Sequence, residues 1–255
     1  MTIQRTNGSL YTHIENRIAT IEFGHPASNA LPGELLNRMA DTFRELSRND
    51  QVRVIILKSE GERAFCAGAS FDELMSISNQ EEGTLFFSGF AKVINAMRTC
   101  TKPIIGRIQG KTVGGGVGLA AACDYCLATE AAAIKLSELT IGIGPFVIEP
   151  AVSRKIGLAA FEALSWKATD WQNAYWAKEK GLYAQVFEKI SEVDKEVQFL
   201  AEKIASYHSN AVKALKKITW QGTDHWDTLL QERAKISGAL VLSEFTKEKL
   251  KSFKK

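Results

Sequence analysis

Two short runs of small residues are the first sign of chemistry in this chain: Phe65-Cys66-Ala67-Gly68-Ala69-Ser70 and Gly114-Gly115-Gly116-Val117-Gly118. Each follows a segment that reads as a buried strand and precedes one that reads as a helix. Glycine lets a ligand approach the backbone closely, and free N–H groups at a helix start stabilise negative charge. Two such loops at the ends of parallel strands are what a backbone oxyanion hole requires. Tight helix–strand packing alone accounts for one or two of the glycines. Three in a row point to a ligand at the backbone.

Better-known motifs come close and fail. Gly106-Arg107-Ile108-Gln109-Gly110-Lys111-Thr112 has three residues between its glycines, where a nucleotide phosphate loop needs four. Gly114, Gly116 and Gly118 lack the final glycine of a dinucleotide fingerprint, because position 119 is Leu. Ser70 is no nucleophile elbow, since the glycine required two residues on is Asp72. Cys123 and Cys126 form a CxxC with no second pair, and the four histidines, at 13, 25, 208 and 225, are scattered. Two small residues at the start of a buried strand explain that pair better than a zinc or redox site. A net charge of +3 makes no case for nucleic acid. Lys247, Lys249, Lys251, Lys254 and Lys255 crowd the last nine residues. They read as a solvated terminal helix, or more sharply as a helix end reaching a phosphorylated ligand.

The elements that would position these loops follow from periodicity. With 45% hydrophobic residues over 255 positions there is ample material for a large core. No apolar window is long enough for a membrane span. The opening Met1-Thr2-Ile3-Gln4-Arg5 lacks the apolar run of a secretory signal, so a cytoplasmic protein is expected. Ile14, Ile18 and Ile21 suggest a hairpin turning at Glu15-Asn16. Pro32-Gly33-Glu34 opens a helix carried by Leu35, Leu36, Met39, Phe43 and Leu46. The run 52–57 is a strand buried on both faces. A helix over 81–98, a strand over 104–108 and short apolar segments at 124–128 and 133–136 continue the alternation. This rhythm is that of an α/β domain with parallel strands. Beyond Glu149 the pattern is helical apart from a brief strand near 185–187. The expected organisation is a core over 1–190 and a helical region over 191–255, the latter holding two or three amphipathic helices.

The runs 65–70, 114–124 (GGGVGLAAACD) and 136–145 (LSELTIGIGP) occur in the order and spacing of the crotonase, or enoyl-CoA hydratase/isomerase, superfamily. The chain resembles that family from about residue 10 to its C-terminus. The resemblance implies a spiral of ββα turns and a C-terminal helical trimerisation region, hence a homotrimer or hexamer. It implies that the N–H groups of Ala69 and Gly115 hold the carbonyl oxygen of an acyl-CoA or acyl-carrier thioester, with Glu138 as the catalytic carboxylate. Ala67, Gly68, Ser70, Lys111, Gly114 and Gly118 would line the substrate, with the adenine end of a hooked coenzyme A near 64–70. Coenzyme A would enter as part of the substrate, with no separate cofactor, metal, nucleic acid or membrane partner.

The sequence also departs from the best-known hydratases, which the family resemblance endows with two catalytic glutamates. The second is Glu138; the first position is Gly118. Ser70 stands where most members carry aspartate. A (de)hydratase of a branched acyl thioester, such as 3-methylglutaconyl-CoA or a 3-hydroxy-3-methylglutaryl thioester, is the favoured reading. It rests on Gly118, on the lysine before the glycine run and on LSEL around Glu138. Lys111 would then pair with a distal carboxylate, or else point to solvent from a loop. A Δ3,Δ2-enoyl-CoA isomerase is the alternative, since it needs one base and resembles the chain over Ile141–Phe146. An inactive CoA- or RNA-binding scaffold is the reading outside enzymology, and retention of Glu138 and both loops speaks against it.

Overall fold

The computed structural model describes residues 7–252, so the opening pentapeptide, Lys254 and Lys255 lie outside the described residues. Strands β1 (Ser9–Glu15) and β2 (Ile18–Gly24) form the expected hairpin. Its turn falls on Asn16 and Arg17, both at positive φ, one residue later than the sequence suggested. A two-residue hairpin favours such a turn because its twist matches that of the flanking strands. Helix α1 (Gly33–Arg48) buries the periodic set Leu35, Leu36, Met39, Phe43 and Leu46.

Three rounds of a common unit follow. The first is β3 (Val54–Ser59), β4 (Ala64–Cys66), α2 (Phe71–Ser76) and α3 (Gln80–Thr99). The second is β5 (Ile104–Ile108), β6 (Lys111–Val113) and α4 (Gly115–Ala122). The third is β7 (Tyr125–Thr129), β8 (Ile134–Lys135) and a 3₁₀ turn over Glu138–Ile141. In every round the first strand joins one sheet and the second joins another. The large sheet has the order β1-β2-β3-β5-β7-β9, parallel from β2 onward, and the small one is a parallel β4-β6-β8.

The chain continues through α5 (Glu149–Ile156), α6 (Leu158–Trp166), α7 (Ala174–Glu179) and β9 (Gln185–Phe187). Helices α8 (Ile190–Ser206), α9 (Ser209–Thr219), α10 (Trp226–Leu240) and α11 (Glu244–Ser252) complete the described residues. Four helices thus stand where two or three were expected. The extra boundaries come from short breaks, and at the last of them the Ser243 hydroxyl accepts from the Thr246 N–H at 3.2 Å to start α11.

These helices have distinct seats. Val193, Val197 and Ala201 of α8 cover the outer face of the large sheet over Ile18, Val54, Ile56, Ile105 and Leu127. Helix α9 is pinned through Lys216, whose ammonium donates to Asp124 Oδ2 at 2.8 Å and to the Lys102 carbonyl at 2.9 Å. Trp220 Nε1 donates to the other Asp124 oxygen at 2.8 Å. Helices α3 and α10 cross backbone to backbone, since a Cβ on Gly83 would fall 2.7 Å from the Gly238 carbonyl oxygen. No described helix is long and apolar enough to cross a membrane.

Candidate active site

The small sheet explains why three distant motifs meet. Its strands are parallel, so the chain leaves β4, β6 and β8 at one edge. Past β4 lies the Ala67–Ser70 loop, past β6 the Gly114–Gly115 start of α4, and past β8 Ser137 and Glu138. All three border one cleft, walled by apolar side chains that include Phe71, Phe87, Phe90, Phe146 and Ile148.

Two backbone donors are free in this cleft. Flanking bonds from the Leu31 N–H to the Gly68 carbonyl (2.8 Å) and from the Ser70 N–H to the Leu31 carbonyl (3.1 Å) leave the Ala69 N–H out. Gly115 is the first residue of α4, so its N–H has no intrahelical acceptor. Neither donates to any acceptor among the described residues. The two loops touch, for a Cβ on Gly68 would lie 3.2 Å from the Val113 carbonyl oxygen and 3.9 Å from the Gly115 nitrogen. With φ at +89°, Gly68 is glycine for its backbone as well. The ring of Phe90 lies flush on Gly115, where a Cβ would come within 2.2 Å of it.

Glu138 opens the 3₁₀ turn, which Gly142 closes in the left-handed region at φ +84°. Helix α11 braces this turn from behind: a Cβ on Gly142 would meet Thr246 Oγ1 at 2.5 Å and Phe245 at 2.6 Å. Glu138 as a whole is only partly buried, yet its Oε2 is shut off from solvent and has no hydrogen-bond partner among the described residues. Its other oxygen lies against the β6–α4 turn, 2.7 Å from where a Gly114 Cβ would be. Burial without a cation raises the carboxyl pKa to about 7, opposed only by the residue's own backbone N–H. A carboxyl that titrates near neutrality is suited to take and return a proton. Two unpaired N–H groups bordering the same cleft can hold the oxyanion that forms when a carbon next to a carbonyl is deprotonated.

A family model for enoyl-CoA hydratase/isomerase matches residues 13–254. The chain belongs to that family.

Full-length similarity agrees with this membership. A short-chain-enoyl-CoA hydratase from Clostridium acetobutylicum is 30% identical, over 94% of this chain and 92% of that relative. A mitochondrial methylglutaconyl-CoA hydratase from Mus musculus is 34% identical over 65% of this chain, a match spanning only 52% of that relative. The crystal structure of an enoyl-CoA hydratase from Bacillus halodurans superimposes with a TM-score of 0.87, covering 95% of this chain and 99% of that one. At 21% identity that likeness speaks for the fold, the crotonase-type α/β spiral anticipated from the motifs.

In this member of the family, Ala67, Gly68, Ala69, Gly114, Gly115 and Glu138 all border the cleft. Three other expected site residues do not. Ser70 is buried as the N-cap of α2, its hydroxyl accepting from the Glu73 N–H at 3.4 Å. That is a role an aspartate would also perform. Gly118 lies under Ile148, whose Cγ2 would be 2.4 Å from a Cβ placed there. Lys111 starts β6, at the opposite end of the strand from Gly114, and is exposed with its ammonium 5.0 Å from the centre of the Trp171 ring. Lys135 shares that ring at 4.6 Å.

Other nearby groups are structural. Glu73 Oε2 accepts from the Gly33 N–H at 2.7 Å and so caps α1. Burial pushes the Cys66 thiol up to about 12, which keeps it protonated beside the cleft. Cys123 and Cys126 are free and buried against Gly106. Sequence reasoning missed Phe90, Ile148 and Ser237, all of which border the cleft. The small-residue run at 114–118 hinted that bulky partners must pack on it, without naming them.

Proposed function

We propose that this enzyme moves a proton along the acyl chain of an enoyl thioester of coenzyme A, converting a Δ3 double bond to the conjugated Δ2 form. One observation carries the reading. Glu138 is the only charged residue on the cleft wall among the described residues, and Ile148 fills the space over Gly118 where a second glutamate would stand. A hydratase that holds its water between two carboxylates has no second carboxylate here. A single base suffices for an allylic proton transfer.

The Glu138 carboxylate removes a proton from C2, and the electron pair passes into the thioester carbonyl. The resulting dienolate oxygen accepts from the N–H groups of Ala69 and Gly115. Such a preorganised donor typically contributes about 2.7–4 kcal/mol to the transition state. The same carboxyl, now protonated, returns its proton to C4, and the double bond settles between C2 and C3. The apolar walls exclude water, which keeps the proton on Glu138 between the two steps. The reaction draws on nothing beyond the substrate, with coenzyme A as its handle.

The partial identity to a methylglutaconyl-CoA hydratase supports a second reading, (de)hydration of a branched acyl thioester. That substrate carries a distal carboxylate, and among the described residues no cationic side chain lines the cleft to receive it. The same family reading includes a trimer or a pair of trimers; exposed Tyr207, Leu215 and Ile218 offer apolar surface for such an assembly to cover.

Incubation with 3-hexenoyl-CoA, crotonyl-CoA and 3-methylglutaconyl-CoA, followed by ultraviolet absorbance and mass, separates the readings. The expected result is conversion of 3-hexenoyl-CoA to a conjugated product of unchanged mass as the fastest reaction. Faster addition of water to either of the other two would overturn the proposal.

A further inference from the structure

Among the described residues, one serine on the cleft wall has a buried hydroxyl that nothing satisfies. Ser237 is in α10, 1% exposed, and its Oγ has no hydrogen-bond partner there. A buried serine inside a helix ordinarily bonds the carbonyl one turn back. Ser165 in α6 does so, donating to the Phe161 carbonyl at 2.8 Å. Ser237 forgoes that bond and borders the cleft instead. Buried polar groups left unpaired are uncommon and call for a partner from elsewhere.

Its position along the cleft is set by the helix crossing. The adjoining Gly238 sits backbone to backbone on α3, where a Cβ would be 2.5 Å from the Thr84 nitrogen and 2.8 Å from the Gly83 carbonyl carbon. Without side chains at this crossing, α10 comes close enough for Ser237 to form part of the wall. Farther along α3, Phe87 and Phe90 line the same cleft, and Phe90 ends on Gly115. Gly83 and Phe90 are separated by about 10 Å of helix rise. Ser237 therefore belongs to the end of the cleft remote from the oxyanion donors.

We infer that Ser237 is a specificity-determining residue that hydrogen-bonds a neutral oxygen, hydroxyl or keto, on the acyl chain several carbons beyond the reacting ones. The inference rests on the reading that the cleft takes an acyl thioester. A hydroxyl can donate or accept, which suits either oxygen. A distal carboxylate is the poorer fit because Glu138 is the only charged group on the wall among the described residues and is itself acidic.

Calorimetric titration of the full chain with octanoyl-CoA and with its 5- to 8-hydroxy and keto derivatives tests this. In the wild type, at least one oxygenated chain should bind about five- to tenfold more tightly than octanoyl-CoA, the scale of one net hydrogen bond. In Ser237→Ala, checked for folding by circular dichroism, that ratio should fall to about one. No gain at any position, or a gain that survives the substitution, would overturn the inference. So would equal weakening of plain and oxygenated chains, which would place the hydroxyl against the coenzyme A portion they share. Conversion of 3-octenoyl-CoA is followed in parallel. Its absence would remove the proposed isomerisation and leave the binding ratio to decide Ser237 by itself.

Discussion

Gly114 and Glu138 are in contact: a Cβ on the glycine would fall 2.7 Å from Oε1 of the carboxylate. Twenty-four residues apart in sequence, they are joined because β6 and β8 are adjacent in the small sheet. The contact sets the carboxylate against the same turn that carries the Gly115 N–H, so the proposed base and the proposed oxyanion donor meet at one backbone turn.

Gly114→Ala should therefore injure the enzyme twice. Its backbone, at φ +52° and ψ −118°, is one that L residues rarely adopt, and the new methyl group would displace the carboxylate. A loss of about 1–3 kcal/mol in urea unfolding is expected from the backbone alone, together with a fall in kcat larger than the change in KM. A variant with wild-type stability and turnover would show that the contact is not needed.

The raised pKa of Glu138 gives a pH signature. As a base it must be ionised, so kcat/KM should climb with pH up to about 7 and level off above. Stability should run the other way. Between the ordinary carboxyl value of 4.5 and about 7 the folded protein holds a proton that the unfolded chain has lost, so stability falls as pH rises across that window. Glu138→Gln removes the penalty. By calorimetry it should exceed the wild type by up to about 3 kcal/mol at pH 8, at about 1.36 kcal/mol per pKa unit, and by almost nothing at pH 4.5. An equal gain at both pH values would contradict the assignment.

Gly118→Glu asks whether the missing glutamate is merely absent. The expectation that substrate occupies this position gives way to Ile148, which would sit 2.4 Å from the new Cβ. The substitution should cost about 1–3 kcal/mol by overpacking and create no crotonyl-CoA hydration. Pairing it with Ile148→Ala should recover part of the stability. A tenfold rise in hydration in the single variant would show that the wall yields.

Much of this was legible from pattern. The strand at 104–108, the brief one at 185–187 and the buried face of α1 follow from apolar periodicity, which is local. The loops that meet at the cleft announced themselves by small residues, since a backbone site needs close approach. What escaped depends on which way a side chain faces. Lys111 is three residues from Gly114, yet those residues are a strand, and its two ends face different surroundings. Ile148 reaches Gly118 from the segment before α5, and Ser237 reaches the cleft only because Gly83 and Gly238 let two helices touch. No local spacing encodes either meeting.

In the proposed reaction Glu138 alone moves the proton. The direct measurement is turnover of 3-hexenoyl-CoA by Glu138→Gln, with its affinity for the substrate measured in the same preparation. The account predicts a loss of at least about 10²–10⁴-fold in kcat with affinity retained, because the amide keeps the shape and lacks the basicity. Turnover within a few-fold of the wild type would contradict it and transfer the proton to another group.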